Sequence, residues 1–295
     1  MSSTNNPIIK LGLPKGSLEK STLSLFERSG WKIHQHHRNY FPEIDDPEIT
    51  PRLCRVQEIP SYIEDGILDV GLTGKDWILE TGANVKVVSD LVYSKVSNRP
   101  ARWVLAVAGD SPYKRPEDLA GKRIATELLG VTKQYFEDAG IDVDVQYSWG
   151  ATEAKVVEGL ADAIVEVTET GTTIKAHGLR IIAEVLLTNT QLITSEEAWA
   201  DPEKRRKIEQ IDLLLQGALR AESLVGLKMN VPSDKFPEIL DAIPSLNSPT
   251  IAELKDSSWH SVEIVVEKNI VRDLIPVLKA KGAEGIIEYA LNKVI

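Results

Sequence analysis

At 295 residues, with 42 % apolar and 26 % charged residues, the chain has the composition of an ordinary globular protein of two or three domains. A formal charge of -10 argues against nonspecific binding to nucleic acid or to an anionic membrane, while leaving room for a local basic pocket. Cys54 is the only cysteine, which rules out an intrachain disulfide and favours a reducing, cytoplasmic setting. Met1 to Pro7 is polar, without the apolar core of a signal peptide, and no apolar run approaches membrane-spanning length.

In chain order, Ile8 to Leu13 reads as a strand, Pro14-Lys-Gly-Ser17 as a turn, and Ser17 as the cap of an amphipathic helix with Leu18, Leu23, Leu25 and Phe26 on its apolar stripe. Lys15 is placed to meet an anion, or else is a solvated turn lysine. His34, His36 and His37 invite a metal reading, but neighbours at 36 and 37 point to opposite faces of a strand and no ligand set at helical spacing completes them, so an exposed hairpin is expected. Arg52 to Val56 and Leu68 to Leu72 are strands, and Thr73-Gly-Lys-Asp76 leads into a helix from Trp77. Strands at 102–107, 122–126 and 143–147 alternate with helices at 132–139 and 153–160, and 179–194 reads as one long extended segment. A helix over 202–221 is expected to pack back on the first unit. Alternating strands and helices imply mostly parallel sheets in two lobes, with a ligand cleft between them.

The stretch Asp162-Ala-Ile-Val-Glu-Val-Thr-Glu-Thr-Gly-Thr-Thr173 organises the second lobe. A buried strand runs through a Thr/Gly loop into a helix start, where unpaired N–H groups and the helix dipole suit an anion. Thr170, Thr172 and Thr173 add hydroxyl donors, and Gly171 allows close backbone approach. Glu166 and Glu169 fit a ligand that also presents sugar hydroxyls or magnesium. The alternative is a capped helix with no ligand. The loop has neither a Walker Gly-Lys-Thr nor a Gly-x-Gly-x-x-Gly pattern.

From Ser223 the pattern becomes βαββαβ, the ferredoxin-like plan. The expected organisation is a first lobe of residues 1–96 and 187–222, a second lobe of 97–186, and a C-terminal domain of 223–295.

Leu13-Pro-Lys-Gly-Ser-Leu18, Asp69-Val-Gly-Leu-Thr-Gly74, Gly121-Lys-Arg-Ile-Ala-Thr126, Asp162 to Thr173 with His177-Gly-Leu-Arg180, and Ser248-Pro-Thr-Ile251 occur in one order along the chain. With them the chain resembles the long-form ATP phosphoribosyltransferases, the first enzymes of histidine biosynthesis. The resemblance implies a two-lobed, periplasmic-binding-protein-like catalytic region and a C-terminal ferredoxin-like regulatory domain. It implies transfer of 5-phosphoribose from phosphoribosyl diphosphate to N1 of ATP, with Mg2+, in dimers that assemble into hexamers and are inhibited by histidine. No covalent nucleophile is required, so positioning and electrostatics carry the rate.

Carried over by position, Glu169, Thr170, Gly171, Thr172 and Thr173 hold the 5′-phosphate and Glu166 faces the ribose hydroxyls. Lys15, Arg55 (or Arg52 in its place) and Arg102 stand near the diphosphate or ATP phosphates. Asp69 and Thr73 belong to a first-lobe loop facing the cleft. Glu153 lies near the nucleotide, or else serves its own helix N-terminus. Ser248 and Thr250 are the candidates for histidine, with a plain surface turn as the alternative; the magnesium ligands are left unassigned. Ser17 stands where members often have Arg, and His177 where Asn is common. A non-catalytic two-lobed solute-binding protein is the rival that lobe architecture alone permits; a dehydrogenase lacks its glycine fingerprint.

Overall fold

The structure is a computed structural model describing residues 8–35, 40–93, 100–244 and 248–295. The chain forms two compact units, residues 1–27 with 31–212, and residues 28–30 with 213–295.

The first unit opens with β1 (Ile9–Lys15), α1 (Glu19–Ser29), β2 (Ile33–His34), β3 (Glu43–Ile44), β4 (Ile49–Arg55), α2 (Ile59–Glu64), β5 (Val70–Gly74), α3 (Lys75–Thr81) and β6 (Lys86–Leu91). It continues with β7 (Ala101–Ala108), β8 (Arg123–Thr126), α4 (Leu129–Asp138), β9 (Asp144–Tyr147), α5 (Thr152–Val157), β10 (Ala163–Thr168), α6 (Thr172–Ala176), β11 (Leu179–Thr188), β12 (Thr190–Thr194), α7 (Glu196–Ala200) and α8 (Pro202–Glu222), whose residues from Leu213 on belong to the second unit.

Two five-stranded sheets result, ordered β4-β1-β5-β12-β6 and β11-β7-β10-β8-β9. The two lobes built on these sheets are the periplasmic-binding-protein-like arrangement expected from the sequence. Within the first sheet β4, β1 and β5 are parallel; within the second, β10, β8 and β9 are. The antiparallel pairs are β7 with β10 and β11, and β12 with β5 and β6; the chain enters the second lobe between β6 and β7 and leaves it between β11 and β12. Strands buried on both faces read as continuous apolar runs, as Trp103 to Val107 of β7 does. On β1 and β5 the glycines let α2 approach closely: a Cβ on Gly71 would stand 2.7 Å from Ile59 Cγ2.

The stretch 179–194, expected as one extended segment, is two strands in two different sheets. The break at Asn189 is fixed by partners distant in sequence: its carbonyl accepts from the Lys75 amide at 3.0 Å, and its Nδ2 donates to Asp90 at 2.9 Å. Within the first unit, the opening turns of α8 are tied by Lys204 to Asp69 at 2.7 Å and by Lys207 to Asp46 at 2.6 Å and Glu48 at 2.7 Å. At the hairpin, Ile33–His34 pairs with Glu43–Ile44, while His36 and His37 lie outside the described residues.

The second unit contains β13 (Leu224–Pro232), α9 (Phe236–Leu240), β14 (Thr250–Glu253), β15 (Trp259–Glu267), α10 (Lys268–Ala280) and β16 (Glu284–Ala290). Its sheet order, β14-β15-β13-β16 with every pair antiparallel, is the ferredoxin-like topology. Alternate residues Val225, Leu227, Met229 and Val231 pack with Val262, Ile264 and Val266 beneath Val271, Leu274 and Leu278 of α10. The last strand ends at Ala290, and beyond it the Val294 amide donates to the Gly217 carbonyl at 3.0 Å.

Candidate active site

In an α/β sheet the carboxyl ends of parallel strands are where helix N-termini and loops gather, and ligands bind there. Both lobes of the first unit direct such ends to one cavity of about 510 Å³. From the first lobe come Ser17, Leu18, Val56 and Gly74; from the second come Glu127, Val167, Thr168, Glu169, Thr170 and Thr173. Asp76, Trp77, Trp103 and Thr188 also line the wall.

Lys15 and Arg55 end β1 and β4 as register partners, so two cations stand side by side next to the lining residues Ser17 and Val56. The Lys15 ammonium lies 3.6 Å from the centre of the Tyr40 ring, which holds it without neutralising it. Arg52 faces Gly12 further down β4, half-buried, and its Nε has no hydrogen-bond partner among the described residues.

The Thr loop follows β10. Gly171 caps α6 with φ of 77°, a left-handed conformation that any Cβ would strain. Its amide donates to Thr168 Oγ1 at 2.8 Å, and the Thr170 and Thr172 hydroxyls bond each other at 2.8 Å. Thr170, Thr172 and Thr173 remain exposed. The loop is thus held in shape by its own hydroxyls and keeps its outer face open.

Carboxylates stand behind it. Burial pushes the Glu166 carboxyl up to about 7, reinforced by the charges of Glu153 and Glu127 and opposed by hydrogen bonds from the Thr152 hydroxyl and the Val167 amide. Glu153 sits in the first turn of α5. Glu127 accepts from the Gly150 amide at 3.1 Å. Register pairs Arg102 with Thr168 and Val104 with Glu166, so Arg102 shares the Glu166 face of the sheet, where it also pairs with Glu184 at 3.5 Å.

Of the expected site residues Glu169, Thr170 and Thr173 line the cavity, Lys15, Arg55, Arg102, Glu153, Glu166, Gly171 and Thr172 are not among its lining residues, and Asp69 and Thr73 are held in contacts of their own. Asp69 is not on a cleft loop: it precedes β5, at the opposite end of that strand from Gly74. Its carboxylate accepts from the Lys10 amide and from Lys204 Nζ, both at 2.7 Å. Thr73 lies inside β5, fully buried, with its hydroxyl donating to the Val56 carbonyl at 2.8 Å. The motif does reach the cavity, but through its last residue, Gly74. In the second unit Ser248 is exposed and Thr250 opens the edge strand β14.

Sequence reasoning missed Glu127, Thr168, Asp76 and Trp103. Glu127 directly follows the carboxyl end of β8, which was the available signal. Asp76 and Trp103 carry none, because their bond joins distant segments: the indole N–H donates to Asp76 Oδ2 at 2.6 Å. Burial raises the Asp76 carboxyl above the ordinary range, against hydrogen bonds from Trp103, Thr188 and the Trp77 amide.

Comparison with known proteins gives the same picture along the whole chain. The ATP phosphoribosyltransferase family pattern matches residues 55–217, and the C-terminal domain pattern of the same family matches 221–293. An ATP phosphoribosyltransferase of Nitratidesulfovibrio vulgaris (strain DSM 19637 / Miyazaki F) is 79 % identical over 99 % of this chain and 100 % of its own. That of Solidesulfovibrio magneticus (strain ATCC 700980 / DSM 13731 / RS-1) is 72 % identical over 98 % of both. Among solved structures, the ATP phosphoribosyl transferase (HisG:HisZ) complex from Thermotoga maritima matches with a TM-score of 0.60 and 26 % identity, over 70 % of this chain and 98 % of that one. The chain belongs to the long-form ATP phosphoribosyltransferase family, pentosyltransferases of histidine biosynthesis.

Proposed function

We propose that the cavity holds phosphoribosyl diphosphate and ATP together and that adenine N1 attacks the anomeric carbon of the ribose. The C–N bond forms as the C–O bond to diphosphate breaks, and the electron pair of that bond leaves with diphosphate. The observation that carries this reading is the open Thr/Gly loop in the cavity wall with Glu127, and behind it Glu166, close enough to feel the charges of Glu153 and Glu127. That order suits a ligand with a phosphate at one end and ribose hydroxyls at the other.

The loop residues Glu169 to Thr173, together with Thr168, take the 5′-phosphate through amides and hydroxyls. Glu166 accepts from the ribose hydroxyls and Glu153 stands near the nucleotide. Lys15, Arg55 and Arg102 attract the polyphosphates and the departing diphosphate. Among the described residues no three His, Cys, Asp or Glu side chains form a metal cage. Magnesium fits this donor set all the same, because it commonly binds substrate phosphates plus one or two carboxylates, here Glu153 and Glu166. Bound there it neutralises charge on the diphosphate. The protein itself contributes positioning, anion binding and exclusion of water.

Histidine is assigned to the ferredoxin-like unit as a feedback inhibitor, with Ser248 and Thr250 at its carboxylate. The protein is read as a cytoplasmic homo-oligomer of dimers assembling into hexamers. No helix among the described residues is long and apolar enough to cross a membrane. The test is diphosphate release from phosphoribosyl diphosphate and ATP with magnesium, with and without histidine. Release that requires ATP and falls with histidine is expected; absence of ATP-dependent release sinks the reaction, and indifference to histidine sinks the regulation alone.

A further inference from the structure

Helix α3 belongs to the first lobe but is fastened to the second at both ends. At its start, Asp76 is 5 % exposed and accepts the Trp103 indole N–H, while its own amide donates to Thr188 Oγ1 at 3.2 Å. The Trp77 ring meets the Trp103 ring edge-on, with centroids 6.2 Å apart. At its far end, Glu80 accepts from the Gly130 amide at 2.9 Å and from the Val131 amide at 3.0 Å. These amides lie in the first turn of α4, where backbone N–H groups have no partner within the helix and the dipole is positive. Glu80 therefore caps a helix of the opposite lobe.

The nearer capped amide, that of Gly130, is three residues from the site. Only Leu128 separates α4 from Glu127, which lines the cavity, holds the Gly150 amide and adds to the charge around Glu166. A single fastening lets one lobe swivel on the other; two, four residues or about 6 Å apart along the helix, do not. Asp76 and Trp103 line the cavity, so changing them would disturb the ligand directly. Glu80 does not line it.

We infer that Glu80 is a positioning residue for the transfer reaction. By capping α4 across the lobes it sets the spacing between the lobe carrying Lys15 and Arg55 and the lobe carrying Glu127 and the Thr loop. This rests on the proposed reaction, in which both lobes hold substrate and the attacking N1 must meet the anomeric carbon in line. Misplacement of about 1 Å at such a centre costs about 100-fold in rate.

The test is steady-state kinetics of the full chain with ATP, phosphoribosyl diphosphate and magnesium, alongside thermal melting, for Glu80→Ala, Glu80→Gln and Glu80→Asp. In Glu80→Ala, kcat is expected to fall about tenfold or more while both KM values move less than about threefold, since the groups touching substrate are intact. Glu80→Gln keeps an acceptor for one of the two amides but sets its NH2 against the other, so it recovers only part of kcat. Glu80→Asp keeps the charge but shortens the reach, and loses kcat as Ala does; it carries the test if the Ala variant does not fold. Unchanged kcat in the folded Ala or Asp variant overturns the inference, as does a loss carried by KM rather than by kcat. An unaltered protein with no ATP-dependent release overturns the proposed reaction, and this inference with it.

Discussion

Lys15 and Arg55 are register partners at the carboxyl ends of two adjacent parallel strands, β1 and β4. Neither charge is cancelled by an acidic partner within the hydrogen bonds and ion pairs of the described residues. Two neighbouring cations repel, so the pair gains when a polyanion enters between them. Truncating either to Ala removes a charge-assisted contact of about 1.5–3 kcal/mol, or roughly 10- to 100-fold in affinity for the polyphosphate substrates. Calorimetric titration of Lys15→Ala and Arg55→Ala checks this, with melting temperatures expected to stay close to that of the unaltered protein.

Glu166 makes the site pH-sensitive. Its carboxyl is raised from the ordinary 4.5 to about 7, so ionising it in the folded chain opposes folding. Its contribution to stability is complete below about pH 4.5 and is lost as pH rises through about 7. Ribose hydroxyls and magnesium favour the ionised form, so kcat/KM for phosphoribosyl diphosphate is expected to rise as pH passes through about 7. Glu166→Gln should flatten that rise, lower kcat/KM, and remove this group's share of the stability loss above neutral pH. A pH-rate profile with the rise intact in Glu166→Gln assigns the titration to another group.

What the sequence makes legible follows from how local each feature is. The Thr loop is a run of strand, hydroxyls and glycine whose conformation is set by its own bonds, such as the Gly171 amide to Thr168, and it reads directly. The βαββαβ alternation from Ser223 is likewise local. The partnership of Lys15 with Arg55 needs the register of two strands. The early start of α4 at Leu129, where helical periodicity places it at Thr132, depends on Thr126 Oγ1 taking the Leu128 amide and on Glu80 taking those of Gly130 and Val131. Asp69 and Gly74 flank the same apolar run, and only the strand's direction says which end meets the cavity.

Gly171 and Thr173 separate folding from binding. The 77° φ of Gly171 and the Ile181 Cδ1 atom 3.4 Å from any added Cβ mean that Gly171→Val strains the loop by about 1–2 kcal/mol, in addition to blocking the phosphate. Thr173→Ala is the cleaner probe, because its side chain is exposed on the cavity wall. It is expected to weaken phosphoribosyl diphosphate about tenfold, by loss of one hydroxyl contact to a charged group, with melting unchanged. Unaltered affinity in a calorimetric titration removes Thr173 from the phosphate site.

Asp69 gives the opposite signature. Its carboxylate joins the Lys10 amide of β1 to Lys204 of α8, with its side chain 11 % exposed and that of Lys204 30 % exposed. Asp69→Ala leaves the Lys10 amide without its acceptor and Lys204 without its partner. The amide alone accounts for about 1–3 kcal/mol, and the partly exposed ion pair adds at most about 1 kcal/mol after screening. The melting temperature should fall by several degrees, at about 2–4 °C per kcal/mol for a unit of this size. Affinity for both substrates, measured well below the transition, should stay within about twofold, since the group lies at the far end of β5 from the cavity. A large rise in either KM with an unchanged melting temperature returns Asp69 to the substrate site and requires the carboxylate to leave Lys204 when ligand binds.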